Sequence, residues 1–173
     1  MGLYAISMNM QQQVAEVRAR HFAYPPAEPG LLQAAQERGV PACLLEFHAI
    51  CDGALIGPGD DFLSPAGQWF RFRIPSLADL QTTQEYGFIQ DDSPLYTASA
   101  AWWQMLDYGD SNWLAIDATS NGQGRILDVC HESAGDPGWQ EIVARSFQEL
   151  IDRLLAEPDT FWFGDGFQSL GSV

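Results

Sequence analysis

The sequence predicts a single α+β domain, in which an antiparallel or mixed β-sheet packs against N-terminal helices and a C-terminal helix. Apolar residues recur at helical spacing near both ends of the chain. One central segment alternates strictly, and two strand-like runs flank a glycine-rich loop. The chain has 173 residues, of which 46% are hydrophobic, so it is long enough to bury one core.

The first third of the chain predicts three helices. A helix over residues 11–22 ends before Tyr24-Pro25-Pro26, because proline removes a donor and restricts the residue before it. A second helix over 31–38 ends at Gly39, a typical C-cap residue. A third helix over 42–51 begins after Pro41 and ends at Asp52-Gly53.

The middle of the chain is less regular. Residues 57–67 are rich in Gly, Pro, Asp and Ser and predict a loop. Residues 69–74 alternate, with Phe70, Phe72 and Ile74 on one face and arginines on the other, which predicts a strand. A short helical turn follows near 77–80. Between residues 82 and 101 the pattern indicates only a turn, at 91–94.

The last third predicts a hairpin and a helix. Segments 113–117 and 125–130 are strand-like and flank Thr-Ser-Asn-Gly-Gln-Gly, a loop whose residues tolerate positive φ. A helix is predicted from 139 to 156, before Pro158 and an aromatic tail over 158–173. Its apolar face comprises Ile142, Val143, Phe147, Leu150, Ile151, Leu154 and Leu155.

The charge of the chain favours a basic protein as its partner. There are 23 acidic residues and 8 basic ones, all arginine, which give a net charge of −15. Such a surface repels phosphate backbones and anionic membranes, so we expect neither nucleic acid nor a membrane as a direct partner. Complementary charge accelerates encounter with a basic protein. The alternative, that acidity only maintains solubility, stays open.

A cytoplasmic location is expected. The three cysteines, Cys43, Cys51 and Cys130, are too few and too odd in number for a disulfide scaffold. The N-terminal residues lack the basic and apolar regions of a signal peptide. No apolar stretch approaches the roughly 18 residues of a membrane span.

Metal and catalytic motifs are sparse, so we expect no metal, no cofactor and no enzymatic activity. Cys43, His48 and Cys51 lie close in sequence, but they do not share one helix face and lack a fourth zinc ligand. His131-Glu132 lacks the second histidine of a metalloprotease helix. Nucleophile-elbow and phosphate-loop motifs are missing. A hydrolase that uses a pair of carboxylates remains an alternative.

The order of several segments resembles the SUKH superfamily, which includes the fungal Smi/Knr cell-wall regulators. Residues 31–41 (LLQAAQERGVP) and 47–53 (FHAICDG) are similar to its opening helices, and 102–117 to its central signature. Residues 125–132 look like the next strand, and 144–150 like the start of its last helix. The SUKH-like core would then span about 31–156, with helix 11–22 and the tail as additions.

This resemblance implies a non-catalytic binding protein. Bacterial members of the superfamily are typically immunity proteins that neutralise a toxin, often a nuclease. A protein with a charge of −15 could cover the basic surface with which a nuclease grips phosphates. A regulatory scaffold that binds a signalling or cell-wall enzyme is the alternative that the fungal members imply.

The partner-binding residues are expected in the acidic segment 91–136, which holds eight acidic residues and one base. Carboxylates there would form a rim around aromatic anchors, although at least two of Trp102, Trp103, Tyr108 and Trp113 should be buried. Charge reversal at Asp107, Asp110 and Asp117 is expected to slow association. The candidate residues are Asp91, Asp92, Asp107, Tyr108, Asp110, Trp113, Asp117 and Glu132.

Overall fold

The computed structural model describes residues 8–157, 162 and 166–173. Within these residues the helices are α1 (Met10–Arg20), α2 (Pro29–Glu37), α3 (Ala42–His48), α4 (Thr83–Tyr86), α5 (Tyr96–Ser99) and α6 (Phe147–Ala156), with a 3-10 turn at Leu77–Asp79. The strands are β1 (Phe22–Ala23), β2 (Ala54–Leu63), β3 (Trp69–Ile74), β4 (Trp102–Asp107), β5 (Trp113–Asp117), β6 (Ile126–Val129) and β7 (Ile142–Ala144).

The strands form one sheet in sequence order, β1 to β7, and every neighbouring pair is antiparallel. Short connections suffice for antiparallel neighbours, because a chain that reverses direction needs no crossover. The single α+β domain predicted from the sequence is confirmed.

The two faces of the sheet are covered differently. One face packs against α1, α3 and α6 in the main core, where the Phe47 and Phe147 rings meet edge to face at 5.4 Å. The other face carries a smaller cluster around Trp102 and Leu127, covered by segment 88–98, which includes α5. Residues 82–101, for which the sequence pattern predicted only a turn, thus contribute the segment that covers the second face of the sheet.

The three helices predicted in the first third of the chain are confirmed in place, with small differences at their ends. Asn9 caps α1, accepting a hydrogen bond from the Gln12 backbone, while the Gln12 side chain accepts one from the Asn9 backbone. Gly39 follows α2 with φ of 84°, as expected of a C-terminal glycine. The alternation in β3 is also confirmed: Phe70, Phe72 and Ile74 are buried.

The prediction of a loop over 57–67 is wrong, because β2 continues to Leu63. Both Pro58 and Phe62 pair with Phe70, so the three residues between them form a bulge after which the strand resumes. A Cβ on Gly59 would lie 2.6 Å from the Cα of Arg71, so only glycine allows this close approach. The glycine and aspartate signals mark the bulge, and the turn is confined to residues 64–68.

The predicted helix over 139–156 is shorter at its start. Ile142 and Val143 lie in β7, which pairs with β6. Ser146 caps α6 by accepting a hydrogen bond from the Glu149 backbone, so the helix begins only at Phe147. The remaining five members of the predicted apolar face are buried, as expected.

Part of the aromatic tail packs on the core. Trp162 is buried against Phe72 and Tyr108, with ring centroids 5.4 Å apart in both pairs. Residues 170–173 pair beside β7, with an isolated bridge between Glu141 and Ser172. The rest of the predicted tail, 158–161 and 163–165, lies outside the described residues. The SUKH-like boundaries at 31 and 156 stay a prediction.

Candidate functional site

An open groove of about 1120 Å³ lies between the β2–β3 hairpin, segment 75–86 and the β4–β5 turn. We call it the acidic groove. Six carboxylates and two guanidinium groups line it, together with aromatic rings. The carboxylates belong to Asp60, Asp61, Asp79, Glu85, Asp107 and Asp110, the guanidinium groups to Arg38 and Arg73, and the rings to Phe62, Tyr86 and Trp113.

The β4–β5 turn projects Asp110 into this groove. Gly109, Asp110 and Ser111 have consecutive positive φ angles of 92°, 50° and 63°. The turn is closed by hydrogen bonds from the Asn112 N–H to the Gly109 carbonyl, at 2.9 Å, and from the Tyr108 N–H to the Asn112 carbonyl, at 3.2 Å. Aspartate tolerates a left-handed backbone better than most residues, which allows a carboxylate at this tight position.

Asp107 is held by its own chain at the start of the same turn. Its Oδ2 accepts a hydrogen bond from the Arg73 guanidinium at 2.6 Å, and its Oδ1 accepts one from the Gly109 N–H at 3.0 Å. The residue is 7% exposed. Asp107 therefore links β3 to β4 and shapes the groove, while its charge is largely compensated by Arg73.

Four groove carboxylates form no ion pair in the described chain, and one of them, Asp79, accepts a hydrogen bond from the Ser76 hydroxyl at 2.7 Å. Within the described part of the chain, the ion pairs shorter than 4.0 Å do not involve Asp60, Asp61 or Asp110. Partial burial raises the pKa of Asp61, and repulsion from Asp60, Asp110 and Asp107 raises it further, against an opposing attraction from Arg71. The carboxylates are therefore crowded enough to repel one another.

Trp113 contributes an unsatisfied donor to the wall of the groove. The residue is 7% exposed, and its ring packs against Tyr86 with centroids 5.8 Å apart. Its indole Nε1 is buried and has no hydrogen-bond acceptor among the residues that the structure describes. Buried polar groups are normally paired, and this nitrogen is an exception that has no accessible surface towards the groove.

Both groove arginines lie over aromatic rings. The Arg73 guanidinium lies 5.2 Å from the Phe62 ring centroid, and Arg38 lies 5.3 Å from that of Trp103. Arg38 also donates to the Leu80 carbonyl at 3.0 Å and lies 3.5 Å from a Glu85 oxygen. Each guanidinium in the groove is thus held by one carboxylate and one ring.

An exposed apolar pair extends this surface. Leu63 and Trp69 are register partners at the end of the β2–β3 hairpin, and they are 53% and 50% exposed. They lie on the same hairpin as Asp60, Asp61 and Phe62. A large exposed aromatic residue beside charged groups is typical of binding surfaces.

The structure brings Asp107, Asp110 and Trp113 of the predicted site together in the acidic groove. Asp117 is 1% exposed and pairs with Arg125 inside the β5–β6 turn. Tyr108 donates a hydrogen bond to the half-buried Asp128. These two residues are therefore committed to contacts within the chain.

The other predicted residues lie away from the groove. Asp91, Asp92 and Glu132 are exposed in two neighbouring turns, which are joined by a hydrogen bond of 2.7 Å from the Ser93 hydroxyl to the Gly135 carbonyl. The expectation that at least two of the four aromatic anchors are buried is confirmed, since Trp102, Trp103 and Trp113 are all buried.

Sequence reasoning missed Asp60 and Asp61, as well as Asp79 and Glu85. The first two were assigned to a loop, although the apolar pair Phe62-Leu63 directly after them indicates that a strand resumes. Asp79 and Glu85 lie in short helical elements that carry no periodic pattern. Their convergence depends on how segment 75–86 packs beside the β4–β5 turn.

The cysteine and histidine cluster near α3 makes structural contacts. His48 is fully buried, and burial lowers its pKa, so the neutral ring donates from Nδ1 to the Asp52 carboxylate at 3.0 Å. The same Asp52 oxygen accepts the Leu77 N–H at 2.7 Å, which ties α3 to the 3-10 turn. Among the described residues no group of three His, Cys, Asp or Glu side chains could hold a metal ion.

In the described ranges 8–157, 162 and 166–173, no helix is both long and apolar enough to cross a membrane. No family model matches the chain. The chain is similar to the immunity protein YokJ of Bacillus subtilis strain 168, with 24% identity over 144 residues. This match covers 80% of the chain and 79% of YokJ. The chain is therefore a distant relative of an immunity protein.

Proposed function

We propose that this chain is a non-catalytic immunity protein, which neutralises a basic toxin by binding it with the acidic groove and the adjacent Leu63–Trp69 pair. The same proposal assigns the chain to the SUKH superfamily, as the resemblance over residues 31–156 implies. It also takes the partner to be a nuclease and the site of action to be the cytoplasm.

The observation that carries this proposal is the similarity to an immunity protein along most of both chains. It is supported by the charge distribution, because the chain has a net charge of −15 and the groove is lined by six carboxylates and two guanidinium groups. A cleft lined by one sign of charge attracts oppositely charged partners and raises their association rate.

Neutralisation would follow from occlusion. A nuclease holds nucleic acid with lysine and arginine side chains. Carboxylates of Asp60, Asp61 and Asp110 would pair with such side chains, and Trp69 would supply a desolvated contact beside them. The toxin surface would then be unavailable to its substrate without any chemical step.

The proposal is tested by purifying the partner and measuring protection. The tagged protein is used to capture partners from its native lysate at low and at physiological salt, and each partner is then expressed in cells with and without this chain. We expect a basic partner that kills cells alone and is harmless when the chain is present. Capture of a non-toxic signalling or cell-wall enzyme would instead support the scaffold alternative.

Asp110→Asn is expected to slow association with the purified toxin roughly threefold at low salt and less at physiological salt. The substitution removes one uncompensated groove charge, and asparagine tolerates the positive φ of this position. Stopped-flow mixing measures the rate. Asp92→Asn, which removes an exposed charge outside the groove, is the control, and equal slowing by both variants would contradict a role for the groove.

Trp69→Ala is expected to weaken toxin affinity by about 2 kcal/mol, because exposed aromatic anchors dominate many interfaces. The side chain is 50% exposed at the end of the hairpin, so the stability of the free protein should change by less than about 0.5 kcal/mol. Isothermal titration calorimetry measures the affinity. Trp139→Ala is the matched control, because Trp139 is 67% exposed and lies outside the hairpin, and it should leave the affinity unchanged.

A further inference from the structure

We infer that the β2–β3 hairpin is able to bend away from β4, and that Trp162 holds it in the closed position. The acidic groove lies between this hairpin and the β4–β5 turn, so the bending changes the width of the groove. The movement belongs to the free protein and requires no partner, and the proposed function does not depend on it.

Strand β3 is joined to β4 far less extensively than it is joined to β2. The β2–β3 and β4–β5 ladders are paired along most of their length. Among the described residues, Arg73 and Asp107 form the single register pair between β3 and β4. Nearer the start of β4, Trp103 is bridged by Thr82 instead. Strands that share few backbone hydrogen bonds separate more easily than the ladders on either side of them, so we expect the sheet to open at the β3–β4 boundary.

On the groove side, an ion pair joins the two strands across this boundary. A terminal nitrogen of Arg73 lies 2.6 Å from the Asp107 Oδ2, and the Arg73 side chain is 44% exposed. An ion pair with an exposed member is screened by water and salt, and it contributes little to stability. A further contact is therefore needed to keep the boundary closed.

Trp162 provides such a contact on the opposite face of the sheet. Arg73 and Asp107 line the groove. Because successive side chains of a strand point to opposite faces, the adjacent residues Phe72 and Tyr108 face the main core. The Trp162 ring is 8% exposed and packs against both, with centroids 5.4 Å apart in each pair. Trp162 therefore lies across the boundary at the point where the two strands diverge.

The hairpin is the part that moves, because the surroundings of Trp162 are tied to the rest of the sheet. The Tyr108 hydroxyl donates a hydrogen bond to Asp128 of β6. Further along the chain, the Leu170 N–H donates to the Ile142 carbonyl of β7 at 2.9 Å. Phe72, in contrast, belongs to the hairpin. Opening therefore separates the Phe72 ring from Trp162 and leaves β4 to β7 in place.

The far end of the hairpin forms one wall of the groove. At its base, Ile56 and Ile74 belong to the main core, which keeps this end in place. Asp60 and Phe62 lie further out and line the groove opposite Asp110 of the β4–β5 turn. Bending of the far end therefore moves one wall of the groove relative to the other. The ring of Trp162, on the main-core face, thus controls a surface on the opposite face of the sheet.

Spin labels on the full-length protein measure the movement directly. The labels are attached at Ala66→Cys in the hairpin turn and at Glu132→Cys after β6, both of which are exposed positions. The half-buried Cys43 and Cys130 are replaced by serine, while Cys51 is fully buried and stays. Pulsed electron paramagnetic resonance gives the distribution of distances between the two labels. With Trp162→Ala we expect a longer-distance population at least about tenfold larger than with Trp162 in place.

Two control variants separate this movement from a general loosening of the core. Trp162→Phe keeps a ring between the two strands, and its longer-distance population should stay within about threefold of that with Trp162 in place. Leu44→Ala removes a fully buried side chain from α3, which packs against α1 and α2, and should leave the distances unchanged while the protein is folded. Equal distributions for Trp162→Ala and Leu44→Ala would overturn the inference.

Urea gives a test that does not depend on how well Trp162→Ala folds. In the labelled protein with Trp162 in place, the longer-distance population is expected to grow at urea concentrations below the unfolding transition, because the β3–β4 boundary opens before the ladders beside it. Circular dichroism locates the transition in the same samples. A distance that lengthens only together with the loss of secondary structure would overturn the inference.

Discussion

Asp117→Ala is expected to destabilise the folded protein by about 3–5 kcal/mol, because removing one member of a buried ion pair leaves the charge of the other uncompensated. Asp117 is 1% exposed, and its Oδ2 accepts from the Arg125 Nε and terminal nitrogen at 3.0 and 2.9 Å. Its Oδ1 accepts from the Thr119 N–H at 3.0 Å and hydroxyl at 2.6 Å. Urea unfolding at neutral pH measures the loss.

Asp92→Ala is the control for this measurement, because it removes an exposed carboxylate with no recorded partner in the described chain, and it should shift stability by less than about 0.5 kcal/mol. A loss below about 1 kcal/mol for Asp117→Ala would show that the pair does not hold the β5–β6 turn. Toxin binding by any folded fraction of the variant should be unchanged, since Asp117 lies inside the turn.

A substitution at Gly122 would disturb the same Asp117 carboxylate from a second position. A Cβ at this position would lie 2.0 Å from the Asp117 Cγ and 2.1 and 2.3 Å from its oxygens, so Gly122→Ala must displace the carboxylate. The two substitutions should therefore be strongly non-additive in a double-mutant cycle. Gly30→Ala is the control, because a Cβ there meets nothing within 4 Å.

Asp128→Asn is expected to stabilise the protein by up to about 3 kcal/mol at pH 8 and to have little effect at pH 4. Burial raises the pKa of Asp128 to about 6, with Glu141 adding to the rise and Tyr108 and Trp162 opposing it. Each unit of difference from the ordinary value near 3.8 corresponds to about 1.4 kcal/mol. Asparagine keeps the acceptor for the Tyr108 hydroxyl without the buried charge.

The sign follows from proton linkage. Between pH 4 and 6 the folded state retains the Asp128 proton that the unfolded state has released, so stability falls as pH rises through this window. His48 acts in the opposite direction, since its lowered pKa makes stability fall as pH decreases below its ordinary value of 6.5. Comparing wild type with Asp128→Asn at each pH isolates the Asp128 contribution.

Urea unfolding from pH 4 to pH 8 measures this difference, and Asp92→Asn controls for the change in net charge. We expect the Asp128→Asn difference to grow through the window and to level off above pH 6. A constant difference across the whole range would contradict the raised pKa, because it would show that Asp128 titrates alike in the folded and unfolded states.

These stability effects separate two kinds of acidic residue within the segment that the sequence singles out. Asp117 and Asp128 make contacts within the chain, to Arg125 and Tyr108, whereas Asp110 lines the groove. Charge reversal at Asp107, Asp110 and Asp117 together would therefore combine the effect of unfolding with that of slower association. Among them, Asp110 is the position at which a change in association would be least mixed with unfolding, since Asp107 is fixed to Arg73 and Asp117 to Arg125.

The sequence was sufficient to predict those elements whose structure follows from local periodicity. The 3.6-residue spacing of α1 and α6, the alternation in β3 and the glycine-rich turn after Asp117 each depend on residues within one element. The strong acidity is a property of composition alone, and the prediction of a basic partner rests on it.

Only the tertiary structure decided what these elements build together. The β2 strand passes through Gly-Pro-Gly-Asp-Asp because β3 pairs with it on both sides of the bulge, and Ile142-Val143 is a strand because β6 lies beside it. The acidic groove joins Asp60 and Asp61 to Asp110, about fifty residues away, through the packing of a hairpin against a turn. Such pairings depend on partners distant in sequence, and a local pattern carries no information about which partner a strand or a carboxylate will meet.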